Sequence, residues 1–458
     1  MGAGGGGLPS PYEGEGPGVR STEAQGASFE AWEVLDLLSQ LVDKSLVLYE
    51  QGEPARYSLL ETIRQYSRER LAQAGEAERI GARYAEHFLC LAREMAPQFK
   101  EPNQLESLNL VAADLDNLRA ALDWLLAHQQ IEKAAEMSVA LAGFWERRSS
   151  FQEGLDTLKR CLAHEDQIDD ACCCARLLGR AGWFAYRTAA YEEAGALQQR
   201  GLALCRELAD TEEEAYALND LASTAQAQGR LEEARELFEQ SLALARRLGD
   251  QDKVAVRLSN LGRLTVETGQ LEEARRYLGE ALTIFKGIGD IHSTSACLCN
   301  LSDLALRQGD WLEAEGYSEQ SLALFRELGD EFGVACALAN LAEAALQQGD
   351  EATAERQIRE ALFICRKIGQ DELIATLLEI YARALDARSA CEEGLFALLA
   401  AENLRADLGL PRSYGQQHEL EAIRGRLVAA VGDETAAILQ AEMSLLRKED
   451  ILARVVKQ

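Results

Sequence analysis

Apolar residues along most of this chain recur three and four positions apart, the spacing that gathers them on one face of a helix. Between residues 211 and 370 the pattern also repeats every forty residues without a gap. Residues six to nineteen of successive blocks read YALNDLASTAQAQG, VRLSNLGRLTVETG, ACLCNLSDLALRQG and CALANLAEAALQQG. Leu218, Leu221 and Ala225 recur as Leu258, Leu261 and Thr265, a stripe on the first helix of each block. Gly229, Gly269, Gly309 and Gly349 close that helix, because glycine enters the left-handed conformation without a Cβ clash. A second helix follows. It carries Ala234, Ala274, Ala314 and Ala354 where the two helices approach closely, and Leu242, Leu282, Leu322 and Leu362 complete its buried face. Each block is a helical hairpin with one apolar face, and such units must stack. A weaker copy at 171–210 keeps Tyr191, Ala194, Leu202 and Leu204 in register.

The period fades on both sides. Residues 77–170 are expected as irregular helices near 78–95, 105–128, 131–148 and 151–163. Residues 371–458 are expected as a degenerate repeat and a helical cap, with helices near 371–387, 391–407, 415–431 and 433–446. Residues 29–76 read differently. Val34, Leu37, Leu38, Leu41 and Val42 form a helical stripe, LVLYE and ARYSLL are strand-like runs around a turn, and Thr62 to Ala74 form a second helix. Helix, hairpin, helix is the closing order of a winged helix, so this segment is expected as a partial winged-helix domain. Residues 1–28 are Gly/Pro/Glu/Ser text with little to bury, and disorder is expected there.

The pattern Leu-x-Asn-Leu-(Gly/Ala)…Gly…Ala…(Ala/Ser)-Leu resembles the tetratricopeptide repeat in an extended form near forty residues. It departs in lacking the helix-ending proline and in having small residues such as Ala225 and Ala305 where an aromatic is common. The resemblance implies an all-α fold, a solenoid of helical hairpins coiled into a right-handed superhelix. A second resemblance rests on LLSQLVDKSLV, YSLLETIRQYSRERL, DLDNLRAALDWL and the repeats after them. These blocks are similar to the C-terminal half of bacterial signal-transduction ATPases, the class that includes LuxR-type transcription activators. In that family a P-loop ATPase precedes a winged helix and the repeats, which implies that the winged helix is a lever rather than a DNA reader. The chain departs from that pattern because it has no G-x-x-x-x-G-K-[ST], so ATPase activity is not carried over.

Charge narrows the partners. There are 47 Lys+Arg against 76 Asp+Glu, a net of −29. That field opposes nucleic acid and anionic membranes and suits a ligand carrying positive charge. The first helix of the winged-helix segment presents Glu33, Asp36 and Asp43 against Lys44, the wrong chemistry for reading bases or phosphates. DNA binding through that segment is the alternative reading. With no run of eighteen apolar residues, no membrane span is expected. Eleven cysteines lack framework spacing and suit reduced thiols in a cytoplasm. Cys172, Cys173 and Cys174 point about 100° apart on a helix and do not converge on a metal. GAGGGG at Gly2–Gly7 leads into Leu-Pro-Ser-Pro and lacks the strand and helix a phosphate cradle needs. The five histidines are far apart, and neither H-E-x-x-H nor G-x-S-x-G occurs. No enzyme activity, cofactor or metal is expected.

What remains is binding. Stacked hairpins line a concave groove with their first helices. The tenth residue of the blocks is Asp220, Asn260, Asn300 and Asn340. The resemblance implies that Asn here reaches the backbone of a bound peptide; the alternative is an Asn that merely caps or solvates its helix. Neighbouring positions add Ser223, Arg263, Asp303 and Glu343, then Ala227, Glu267, Arg307 and Gln347. The expected partner is a protein or peptide segment, with a separately encoded ATPase as a further candidate.

Overall fold

The computed structural model describes residues 31–51, 56–100, 104–408, 414–443, 445–446, 450–451 and 453–454. The tail at 1–28, with its GAGGGG, lies outside them. The chain divides into two units at Tyr84 and Ala85.

The first unit contains helix α1 (Ala31–Asp43), strands β1 (Val47–Glu50) and β2 (Arg56–Leu59), and helix α2 (Glu61–Gln73). The strands pair antiparallel, Val47 opposite Leu59 and Glu50 opposite Arg56. The order is the one read from the sequence, but its apolar stripe is open. Trp32 is 67%, Leu35 51% and Tyr66 59% exposed, and α2 buries none of its residues.

The second unit is a helical solenoid. Helix α3 (Ala77–Met95) leads into it, followed by α4 (Gln104–Ala113) and α5 (Leu115–Ala127). The single helix expected over 105–128 is thus two. Asp114 leaves helical geometry at φ −105° and ψ 11°, and Asn117 donates to its carboxylate at 2.9 Å across the bend. Hairpins then follow: α6 (Ile131–Arg147) with α7 (Phe151–Leu162), α8 (Ala171–Arg187) with α9 (Tyr191–Glu207), and α10 (Thr211–Ala227) with α11 (Leu231–Leu248). The series continues with α12 (Gln251–Glu267) and α13 (Leu271–Ile288), α14 (Ile291–Gln308) and α15 (Trp311–Leu328), and α16 (Glu331–Gln347) and α17 (Glu351–Ile368). It ends with α18 (Asp371–Ala387) and α19 (Cys391–Leu408), then α20 (Tyr414–Val431) and α21 (Asp433–Met443).

Local chemistry sets each boundary. Asp210, Asp250, Asp290 and Asp330 accept from the backbone N–H three residues on, the N-cap contact. Gly229, Gly249, Gly269 and Gly289 turn at φ 73–78°. The same left-handed turn recurs in steps of twenty beyond the glycines, at Gln129, Ser149, Ala189, Ala209 and Ser389 with φ 53–60°, and is missing at 169, where a short 3-10 turn at Glu165–Gln167 joins α7 to α8.

Ala234, Ala274, Ala314 and Ala354 are each 0% exposed where paired helices cross. At Gly262 an added Cβ would stand 2.5 Å from Leu278, so the crossing admits nothing larger without a shift. Leu242 and Leu362 are buried as expected, but Leu282 and Leu322 are only half-buried. The residue before each goes deepest: Ser241, Ala281, Ser321 and Ala361 are all 0% exposed. There the Ser241 hydroxyl donates to the Ala215 carbonyl at 2.6 Å and Ser321 to that of Ser295 at 2.9 Å, a reach that a leucine would block. Helix α19 is buried continuously from Gly394 to Ala401 because α20 and α21, through Leu420, Ile423, Leu427 and Leu439, pack into the same core. Among the described residues no helix is long and apolar enough to cross a membrane.

Candidate functional site

The first helices α8, α10, α12, α14, α16 and α18 stand side by side in a fixed register. Gln226 shows it: its Oε1 accepts from Arg263 at 2.8 Å, and its Nε2 donates to Glu267 at 2.6 Å. A residue on one first helix therefore sits between the residues 37 and 41 places further on. The groove asparagines use that register. Asn260 Nδ2 donates to Asn219 Oδ1 at 2.9 Å, Asn300 to Ser259 Oγ at 3.3 Å, and Asn340 to the Cys299 carbonyl at 3.1 Å. All three are half-buried. They tie adjacent hairpins together, and no described residue donates to the Oδ1 of any of them. Each of the three thus has its NH2 end bound to the neighbouring hairpin and its carbonyl end open.

Asp220 holds the same place in the first block. Burial pushes its carboxyl up to about 6, against the hydrogen bond from Asn219 and the attraction of Arg180 and Arg257. Ser223 is nearly buried and donates to the Asn219 carbonyl of its own helix at 3.1 Å. Arg307 reaches Asp303 at 3.3 Å within α14. Glu343 accepts from Gln347 at 3.1 Å and, in a forked pair, from both terminal nitrogens of Arg383. Sequence reading missed Gln226 and Arg383. Arg383 occupies the block position of Arg263, Asp303 and Glu343, so extending the forty-residue frame past 370 would have found it.

The coil also brings distant blocks near one another. Asp330, 3.2 Å from His292, raises the imidazole's pKa, and Arg147, four blocks earlier, opposes it. Burial raises the Tyr191 hydroxyl, and Glu372, five blocks on, adds to the effect.

The second helices differ. Arg235 pairs with Glu273 at 2.9 Å and Arg275 with Glu313 at 2.8 Å. At the same block position the sign then reverses, and Glu355 accepts from Arg388. Arg246–Glu280 and Arg326–Glu360 repeat a second pairing.

The buried cysteines are poor nucleophiles. Burial pushes Cys173, Cys174 and Cys205 up to about 11 and Cys297, Cys299 and Cys365 up to about 12, so they are thiols at neutral pH. Among the described residues no group of His, Cys, Asp or Glu is placed to hold a metal.

Comparison with known proteins agrees with this architecture. Over 199 residues the chain is 33% identical to a Mycobacterium tuberculosis protein provisionally named an HTH-type transcriptional regulator, covering 41% of this chain and 22% of that protein. The chain thus spans about a fifth of the length of the curated relatives it matches. Among solved structures, a Rap protein complexed with Competence and Sporulation Factor superposes with a TM-score of 0.56 at 15% identity, over 81% of this chain and 99% of that one. Aspartyl phosphate phosphatase F from Bacillus subtilis gives 0.53 at 13% identity, over 74% and 96%. At such identities these structures show a shared fold. The family model of the tetratricopeptide repeat matches residues 213–287 and 293–367. The forty-residue hairpins at the centre of the chain are tetratricopeptide repeats.

Proposed function

We propose that this chain is the signal-receiving solenoid of a regulatory protein, and that it binds an extended segment of a protein or peptide along its inner face. The observation that carries this is the row of asparagine carbonyls at 260, 300 and 340. They are fixed by their NH2 ends, and among the described residues no donor reaches their oxygens. Such oxygens suit the backbone N–H groups of an extended chain. The regulator named among the relatives and the factor-bound Rap protein fit the same role. Selecting peptides on the full-length chain from a display library tests it. Changing Asn260, Asn300 and Asn340 together to Ala should weaken the selected peptides at least about tenfold, a loss of ~1.4 kcal/mol or more. Circular dichroism should show the variant still folded. Undiminished binding would remove the asparagines from the site.

The second reading concerns residues 31–84. Their exposed Trp32, Leu35, Leu48 and Tyr66 favour docking against another protein, an ATPase among the candidates, over contact with DNA. Binding of duplex DNA by the full chain in a salt-dependent manner would reverse that preference.

A further inference from the structure

The inner face changes character at α8. Arg176, Arg180, Trp183 and Arg187 are spaced four, three and four residues apart and so share one face of that helix. On one side Phe99 packs over Gly143 of α6, where an added Cβ would come 3.0 Å from its ring, so α6 is partly covered there. On the other side α10 presents Ser223 and Ala227, which are small. The α8 face is left prominent between them.

Its aromatic groups form a platform. Trp183 stacks on Tyr186 at 5.3 Å and 20°, and its Nε1 donates to Glu146 at 3.1 Å. The Arg187 guanidinium lies 4.2 Å over the Phe151 ring and 5.6 Å from that of Trp183. Arg176 reaches only the Cys172 carbonyl of its own helix, at 3.3 Å. Among the described residues neither Arg176, Arg187 nor the nearby Arg147 makes an ion pair with a carboxylate. Outer-face arginines such as Arg247 and Arg356 lack such partners too; what sets this rung apart is the aromatic platform against which Arg187 lies. An arginine held flat on a ring keeps its N–H edge free, the geometry that receives a carboxylate through two parallel hydrogen bonds.

We infer that α8 is the rung of the inner face that binds acidic side chains of the incoming segment, with Arg176 and Arg187 as the carboxylate receivers and Trp183 and Tyr186 as an apolar contact beside them. The inference rests on the inner-face reading proposed above. It also reverses what the overall charge suggests: the net −29 favours a basic ligand, whereas the groups left open at this rung are cations. The occupant is an acidic peptide segment: the guanidinium edges receive carboxylates, and the Trp183 and Tyr186 rings beside them receive the apolar side chains that a peptide carries between its acidic ones.

The test uses the full-length chain and two fluorescein-labelled, terminally capped decapeptides, one alternating Glu with Leu and one alternating Lys with Leu. Anisotropy should show the Glu–Leu peptide binding at low salt and weakening as salt rises. R176Q/R187Q should weaken it about tenfold. R247Q/R356Q, which removes two exposed arginines of the second helices, should leave it unchanged. Both pairs are exposed, so unaltered thermal melts are expected. Absence of Glu–Leu binding, equal loss in both variants, tighter binding of the Lys–Leu peptide, or tighter binding of a single-stranded oligonucleotide would each overturn the inference. If display-selected peptides depend on Asn260, Asn300 and Asn340 but not on Arg176 and Arg187, the inner-face reading stands and the acidic preference alone fails.

Discussion

The two helices of each forty-residue block share one packing frame yet present opposite surfaces. The second helices settle their charges among themselves, as Arg235 with Glu273, Arg275 with Glu313 and Arg326 with Glu360 show. The first helices are joined both by ion pairs, as Glu343 with Arg383 and Glu212 with Lys253 show, and by side-chain amides, and the contact that links Asn340 to Cys299 leaves a carbonyl oxygen open. Around α8 they leave guanidinium groups open as well. Repetition alone therefore does not mark a binding face. What the first-helix row adds is a column of amides at 260, 300 and 340, bound at the NH2 end and open at the carbonyl end.

Substitutions can break or sharpen this contrast. The largest effect is expected at the helix crossing beneath both surfaces. Ala274→Leu forces bulk into a site that is 0% exposed and should cost about 3 kcal/mol in denaturant unfolding. A cost under ~1 kcal/mol would mean that the two helices are less tightly joined than described. On the inner row, Asn340→Ala removes a partly buried hydrogen bond and should cost about 1 kcal/mol of stability.

Asp220→Asn should act in the opposite direction, because it restores the residue found at 260, 300 and 340. The folded-state pKa of Asp220 lies above its ordinary value, so the native state prefers the protonated acid. Its penalty is absent at low pH, develops as pH rises from about 4 to about 6, and is full above that. The substitution should therefore stabilise by ~1 kcal/mol at pH 7.5, after allowance for partial solvent screening, and by little at pH 4. A gain equal at both pH values would exclude ionisation as its cause. Smaller still, Gly249→Ala should destabilise and Ala209→Gly stabilise, each by roughly 0.5–1 kcal/mol, since both positions are left-handed. On the outer row, Arg246→Gln should change stability by less than ~0.5 kcal/mol, as exposed pairs usually do.

The hairpins of 211–370 were legible because glycine writes their turns into the sequence. The flanking hairpins make the same turn at Gln129, Ser149, Ala189, Ala209 and Ser389, where tertiary packing holds a residue with a Cβ in the left-handed region. Except at 169, the backbone keeps a period of twenty there that the letters do not show. The groove asparagines were also legible as a column. That their NH2 ends are occupied was not, because the partner lies 41 residues earlier and is in turn an amide, a hydroxyl and a carbonyl at Asn219, Ser259 and Cys299. No residue-type pattern predicts so mixed a set of acceptors. The break at Asp114 was hidden for a simpler reason: the apolar spacing runs on through it from α4 into α5. The α8 stripe was not legible because the copy at 171–210 keeps its register on the second helix, at Tyr191, Ala194, Leu202 and Leu204, while its first helix diverges from the repeat. Counted back one block, Trp183 and Arg180 fall at the positions of Ser223 and Asp220.

Site-specific photo-crosslinking tests the division of faces most directly. A benzophenone amino acid placed at Arg263 on the inner face, or at Arg247 on the outer, would be irradiated in the full chain with a display-selected peptide. The account predicts crosslinks from position 263, with loss on adding unlabelled peptide, and none from position 247. Crosslinks from 247 alone would contradict it and move the receiving surface to the second helices.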